Sequence, residues 1–132
     1  MSANDHLSPG QFPTKLFHGG LPHSATLNDV DLNRLGTQQN KRGRSYGGFY
    51  LTDQSSKSWS EDYAKQRGAA VHEFTLKPEA RVLDHGDRNI DRLSSDERSK
   101  MAETHDVVKG KDTLGRNQYA LLNKDSVQMR PL

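Results

Sequence analysis

His18 is followed at once by Gly19 and Gly20, and this is the first place in the chain where residue types and spacing suit chemistry. A neutral imidazole can donate to a hydroxyl, and two residues without side chains let a flat ligand come close to main-chain N–H and C=O groups. The second place is the run Gly47-Gly48-Phe49-Tyr50-Leu51-Thr52-Asp53, followed by a helical stretch that carries Tyr63. Two tyrosines on a strand and on the helix after it can sandwich an aromatic ring, each supplying a flat face and a polar tip. The third is Gln118, behind a Gly-bounded loop from Lys109 to Arg116 that carries Lys109, Lys111 and Arg116. Strand geometry turns Gln118 and Ala120 to one face and Tyr119 and Leu121 to the other, which predicts an amide at the mouth of a site beside a basic loop. Taken singly, these are also a strand-end histidine at a turn, a core aromatic pair and a surface glutamine.

The elements that must position these residues can be read from periodicity and punctuation. Thr14 to His18 reads as a strand stopped by Gly19 and Gly20, and Thr26 as the cap of a short helix through Leu27, Val30, Leu32 and Leu35 that ends at Gly36. Thr37 to Gly47 is a long loop. Gly48 to Thr52 is an aromatic-rich strand, and Asp53 to Ser56 a turn that can cap a helix from Lys57 to Arg67. That helix has Trp59, Tyr63 and Ala64 on its packed face, Lys57, Glu61 and Lys65 in water, and Gly68 as its stop. Ala69 to Leu76 alternates as a half-buried strand, and Arg81 to Asp84 is a brief extended piece. Ser94 with Glu97 makes a capping box that opens a polar helix reaching about Glu103. Asp106 to Val108, Gln118 to Asn123 and Ser126 to Met129 are the remaining strands. This mixed order, rich in strands and poor in helices, predicts an α+β fold with one or two small antiparallel sheets.

The 132 residues suffice for a single domain over residues 13–132, preceded by a polar tail or linker over 1–12. Only 31% of residues are hydrophobic and 27% are charged, so the core must be lean and the connections long. The formal net charge of +2 is too small to indicate nucleic acid by itself. The run Lys41, Arg42, Arg44 makes a local anion site plausible beside its plain reading as a solvated loop. The absence of cysteine excludes disulfides, thiolate zinc sites and cysteine nucleophiles, and no metal is expected. No apolar run is long enough to span a membrane, and the first ten residues lack the apolar stretch of a signal peptide. The expectation is a chain with no export address of its own and no membrane partner, and nothing suggests an oligomer rather than a monomer.

Order, spacing and combination make the three segments more specific than any of them alone. LFHGG, GFYLTDQ with Tyr63, and NQYALLN together resemble the ADP-ribosyltransferase superfamily of the diphtheria-toxin and poly(ADP-ribose) polymerase type. Its pattern is a His followed by Gly, a Tyr pair on a strand and the next helix, and a Glu beginning a late strand. The resemblance covers Leu16 to about Val127, and it implies split antiparallel sheets with a few short helices. It also implies NAD as co-substrate, with His18 on a ribose hydroxyl and the main chain of Gly19 on the nicotinamide carboxamide. Tyr50 and Tyr63 would stack on the nicotinamide ring, and Thr52 would shape the pocket. Arg34, or Lys41, Arg42 and Arg44, would meet the pyrophosphate. Gln118 stands where the family's transferases usually carry Glu. An amide can orient a hydroxyl but lacks the charge that stabilises an oxocarbenium-like state, and one preorganised electrostatic contact is commonly worth about 3 kcal/mol of barrier. Either the acceptor is a strong nucleophile, or another acid such as Glu61, Asp62 or Asp112 substitutes, or transfer is lost and NAD is only bound.

The resemblance therefore implies a mono-ADP-ribosyltransferase, with Gln118, His18 and Tyr50 as the catalytic set, acting on a macromolecular acceptor that is protein, RNA or DNA. It suits a toxin or effector domain delivered to a target-cell cytoplasm by a larger secreted protein and countered by an immunity protein, or else a cytoplasmic modifier. Two other readings stay open. RNA 2′-phosphotransferases share the architecture and use NAD, although they normally carry a winged-helix domain for which this chain has no room. A degenerate pocket could instead serve as an NAD-, protein- or nucleic-acid-binding module.

Overall fold

A computed structural model describes residues 14–30, 32, 49–90 and 93–132. The first strand, β1, runs over Lys15–Leu21 straight through the two glycines, where the sequence reading had stopped it. The reason is packing: a side chain on Gly19 would collide with the helix lying over it, so the glycine pair serves close approach instead of a turn. Gly20 does take a positive φ of 133°, at an irregularity in the pairing between Gly19 and Leu21. The expected helix from Thr26 is a single 3-10 turn over Leu27–Asp29 in the described residues, with the Asp29 carboxylate accepting the Thr26 N–H at 2.8 Å. Leu35 and Gly36, the tail and the long loop with Arg34, Lys41, Arg42 and Arg44 lie outside the described residues.

β2 is short, Tyr50–Leu51, and a 3-10 turn over Gln54–Ser56 leads into α1, Lys57–Gln66. Gly68, at φ 62°, stops the helix as expected. Ser60 and Ala64 form its buried stripe, whereas Trp59 is 48% exposed, so the expected core tryptophan is a surface residue. Lys57 is not wholly in water either, because its ammonium lies 5.1 Å from the Phe17 ring centre. β3 spans Ala70–Leu76. Its centre is buried on both faces, since His72 and Phe74 turn to the core while Glu73 is enclosed with Lys15 and Arg130.

β4, Val82–Asn89, is twice the expected length, because its polar end re-pairs beyond an irregularity with Asn89 opposite Lys111. α2 spans Ser95–Ala102, capped by Ser94, whose hydroxyl accepts the Glu97 N–H at 3.1 Å. β5 covers Val107–Lys111 and β6 covers Asn117–Leu121. Lys109 and Lys111 thus belong to a strand, and the loop shrinks to a hairpin turn over Asp112 to Arg116, with Gly115 at φ 80°. β7, Val127–Pro131, closes the order.

The strands form an α+β fold with two sheets, in the orders β1-β3-β7 and β2-β6-β5-β4. The pairing is antiparallel except between β4 and β5, which are parallel. A lone bridge joins the sheets, with Phe17 and Thr52 exchanging both main-chain hydrogen bonds at 2.8 Å. Leu16, Phe74, Leu51, Tyr119, Leu121, Val107 and Val127 share one apolar core that draws on both sheets. A smaller cluster of Ile90, Leu93, Val108 and Ala120 lies on the other face of the four-stranded sheet, with Tyr50, Met101 and Leu122 packed against it. Among the described residues no helix is long and apolar enough to cross a membrane.

Candidate functional site

The split between β1 and β2 is where the first two motifs meet. His18 lies just past the Phe17–Thr52 bridge, and its Nδ1 is 2.8 Å from the main-chain oxygen of Tyr50. A carbonyl oxygen can only accept, so Nδ1 carries a hydrogen and donates to Tyr50 O. The ring is further fixed by stacking on Phe49, with centroids 4.0 Å apart and planes at 26°.

Tyr63 reaches the same place from α1. A β-carbon on Gly20 would sit 3.1 Å from the Tyr63 ring and 3.6 Å from His18 Nε2, so the two side chains close on residue 20 from either side because it has no side chain of its own. The outer face of Tyr63 is covered by the Arg67 guanidinium, 3.5 Å from the ring centre. The helix comes this close because Gly19 is bare: a β-carbon there would lie 1.9 Å from Ser60 O. Thr52 completes the junction, its hydroxyl 2.8 Å from Ser60 Oγ, and Ser60 Oγ donates to Phe17 O at 3.3 Å.

The third motif stands on the four-stranded sheet. Tyr50 pairs with Ala120, and Gln118 faces Gly110, so Tyr50, Ala120 and Gln118 share one side of the sheet. The Tyr50 hydroxyl donates to Ile90 O at 2.9 Å. Gln118 is only 8% exposed, so its amide is enclosed and is not the surface glutamine of the plain reading. β6 is an inner strand, and the chain from Arg88 to Ile90 crosses directly over Gly110, where a β-carbon would lie 2.7 Å from Arg88 O and 2.5 Å from the Ile90 side chain. Tyr50 and Tyr63 are thus engaged by different neighbours, Ile90 on one side and Arg67 on the other.

The alternative acids are placed as follows. Asp112 is committed to the hairpin, accepting from the Leu114 and Arg116 N–H groups at 2.9 Å each and pairing with Arg116 Nε at 2.6 Å. Glu61 and Asp62 are exposed on α1. Arg34 and Arg44 fall outside the described residues.

Several supporting residues escaped the sequence reading. Asp53 is buried, and its carboxylate accepts from Asn117 Nδ2 at 3.1 Å and from the Tyr119 hydroxyl at 3.3 Å, so the end of the second motif is tied to the start of the third. Burial, with that carboxylate beside it, pushes the Tyr119 phenol above its usual range. Arg116 lies over Trp59, 3.4 Å from the ring centre, and so fastens the hairpin to α1. Membership of the second motif was the available signal for Asp53 and Phe49; nothing in the sequence marked Ile90. Among the described residues no group of three or more His, Asp or Glu is arranged to hold a metal ion.

Comparisons with protein-family models, curated proteins and solved structures find no match to this chain.

Proposed function

We propose that this domain binds NAD at the split between β1 and β2 and transfers its ADP-ribose to a macromolecular acceptor. The observation that carries the reading is the meeting of His18, held through Nδ1 by Tyr50 O, with the Tyr63 ring at a bare Gly20. An imidazole suits a ribose hydroxyl, a phenol ring suits the face of a pyridine, and residues without side chains let a ligand approach the main chain. The order of the three motifs along the chain supports the same assignment.

In this reading the bond between nicotinamide and the ribose breaks, and nicotinamide leaves as a neutral molecule with the bonding pair. The acceptor nucleophile forms the new bond to the same sugar carbon and releases its proton. His18 holds the sugar through a hydroxyl, Tyr63 and Tyr50 position the ring, and Gln118 orients without supplying charge. Toxin or effector action in a target cell is the biological context that the motif order suggests. A silent binding module is the second reading, favoured by the burial of Gln118 and by the engagement of the Tyr50 hydroxyl with Ile90.

The test is nicotinamide release from NAD labelled in the ADP-ribose portion, with and without cell lysate. Transfer predicts release that depends on lysate, with label in a macromolecular fraction that protease or nuclease then identifies. His18→Ala is expected to lower release on the order of a hundredfold if its contact is preorganised for the transition state. Absence of release together with saturable NAD binding selects the silent module, and absence of both removes NAD from the account.

A further inference from the structure

Arg98 is a buried cation for which the NAD reading has no use. It sits in α2, is 8% exposed, and its guanidinium donates to one main-chain oxygen, that of Leu32. Its Nε has no hydrogen-bond partner among the described residues. The ion pairs among the described residues join Lys15 and Arg130 to Glu73, Arg81 to Asp106, Arg88 to Glu97 and Arg116 to Asp112, and none includes Arg98. Buried charges are ordinarily matched by a counter-charge, because an ion taken out of water keeps its cost unless something pays it back.

A cavity of about 80 Å³ opens beside this guanidinium. Its walls among the described residues are Arg98, Ser99, Leu32, Ala102, Leu121 and Leu122, with no acidic residue in that set. That is room for several waters or for one ion the size of phosphate. Leu32, Ala102, Leu121 and Leu122 give part of the wall an apolar lining, which strengthens a charge pair formed against it relative to one in open water. Guanidinium presents its N–H groups as a planar fork that matches two oxygens of a phosphate, and Nε is one prong of that fork.

We infer that the cavity beside Arg98 binds a phosphate-sized oxyanion, gripped by the Nε of a buried guanidinium and supplying the counter-charge that the described residues do not. The site lies against the last turns of α2 and does not depend on the NAD reading. The anion is either free phosphate or the phosphate end of a larger molecule.

The experiment is a titration of the ¹⁵N-labelled chain with inorganic phosphate, against sodium chloride at matched ionic strength. The expected result is a saturable shift of the Arg98 Nε–H signal and of the Ser99 and Ala102 amides, with a melting temperature that rises with phosphate and then levels. Arg98→Met should abolish the rise. Adenosine monophosphate in place of phosphate separates the two sources: matching shifts at these three positions show that the pocket accepts a phosphate ester, and shifts with phosphate alone assign it to the free ion. Shifts that do not saturate, that appear equally with chloride, or that leave the Nε–H signal unmoved overturn the proposal. The wild-type titration decides the matter if Arg98→Met does not fold.

Discussion

Gly19→Ala is the substitution for which the structure gives the most definite consequence. The added β-carbon would lie 1.9 Å from Ser60 O, 2.8 Å from Ser60 C and 3.0 Å from the Ala64 β-carbon, and two of these three atoms are helix backbone. No side-chain rotation can relieve that contact. α1 must withdraw from β1 by roughly an ångström, and overpacking of this kind costs about 1–3 kcal/mol, with the upper end expected where the obstacle is backbone. The same withdrawal loosens the Thr52–Ser60 hydroxyl pair and carries Tyr63 away from His18. Gly68→Ala is the internal standard: it meets nothing within 4 Å, and its cost is that of φ 62° alone, about 1 kcal/mol. Urea unfolding of the two variants and the parent gives both numbers, and NAD affinity gives the second readout. If Gly19→Ala unfolds within about 0.5 kcal/mol of the parent, the close seating of α1 on β1 is wrong.

His72 is fully buried in the core, and burial lowers its pKa below 6.5. The unfolded chain then binds the proton more readily than the folded one, so stability should fall as pH drops below 6.5; His72→Leu should flatten that part of the curve, and an unchanged slope refutes the assignment. Glu73 is held below the usual carboxylate range, chiefly by its hydrogen bond from Arg130. Its contribution is whole above the unfolded value of about 4.5 and is lost as pH falls through the lower folded one, so Glu73→Gln should weaken the protein near neutrality and reduce its further loss in acid. Arg116→Ala should uncover the single tryptophan, Trp59, raising its quenching by acrylamide and costing about 0.5–1 kcal/mol in urea unfolding. Unaltered quenching would place Arg116 off the ring. Gln118→Glu should raise nicotinamide release by up to about a hundredfold if missing charge limits transfer, and a lower rate with NAD affinity retained shows that the amide is adapted to its acceptor.

The α+β class, the helix after the second motif and the Ser94 cap were legible because each rests on local rules of periodicity or capping. Limits set by tertiary contact were not. Gly19 and Gly20 read as a stop because nothing in five residues says that a helix will press on them. The polar run from Asp84 to Asn89 has no alternation to betray a strand, and its pairing with β5 depends on a register recovered only at Asn89. Trp59 matched the apolar stripe of α1, yet its partner is a guanidinium fifty-seven positions along the chain. For the candidate site, the motifs located His18, Tyr50, Thr52 and Tyr63, and His18 and Tyr63 do flank Gly20. The burial of Gln118 was hidden because β6 is an inner strand and the chain crosses over Gly110, the residue paired with it, and neither has a local signature.

The bridge between Phe17 and Thr52 has a practical consequence. Two main-chain hydrogen bonds stitch the sheets together beside a core that both share, and His18 is the very next residue on one side of the stitch. A ligand seated against that imidazole would shield the stitch, so the amide protons of Phe17 and Thr52 should exchange with solvent more slowly when it is bound, and they offer a gauge of occupancy that requires no turnover.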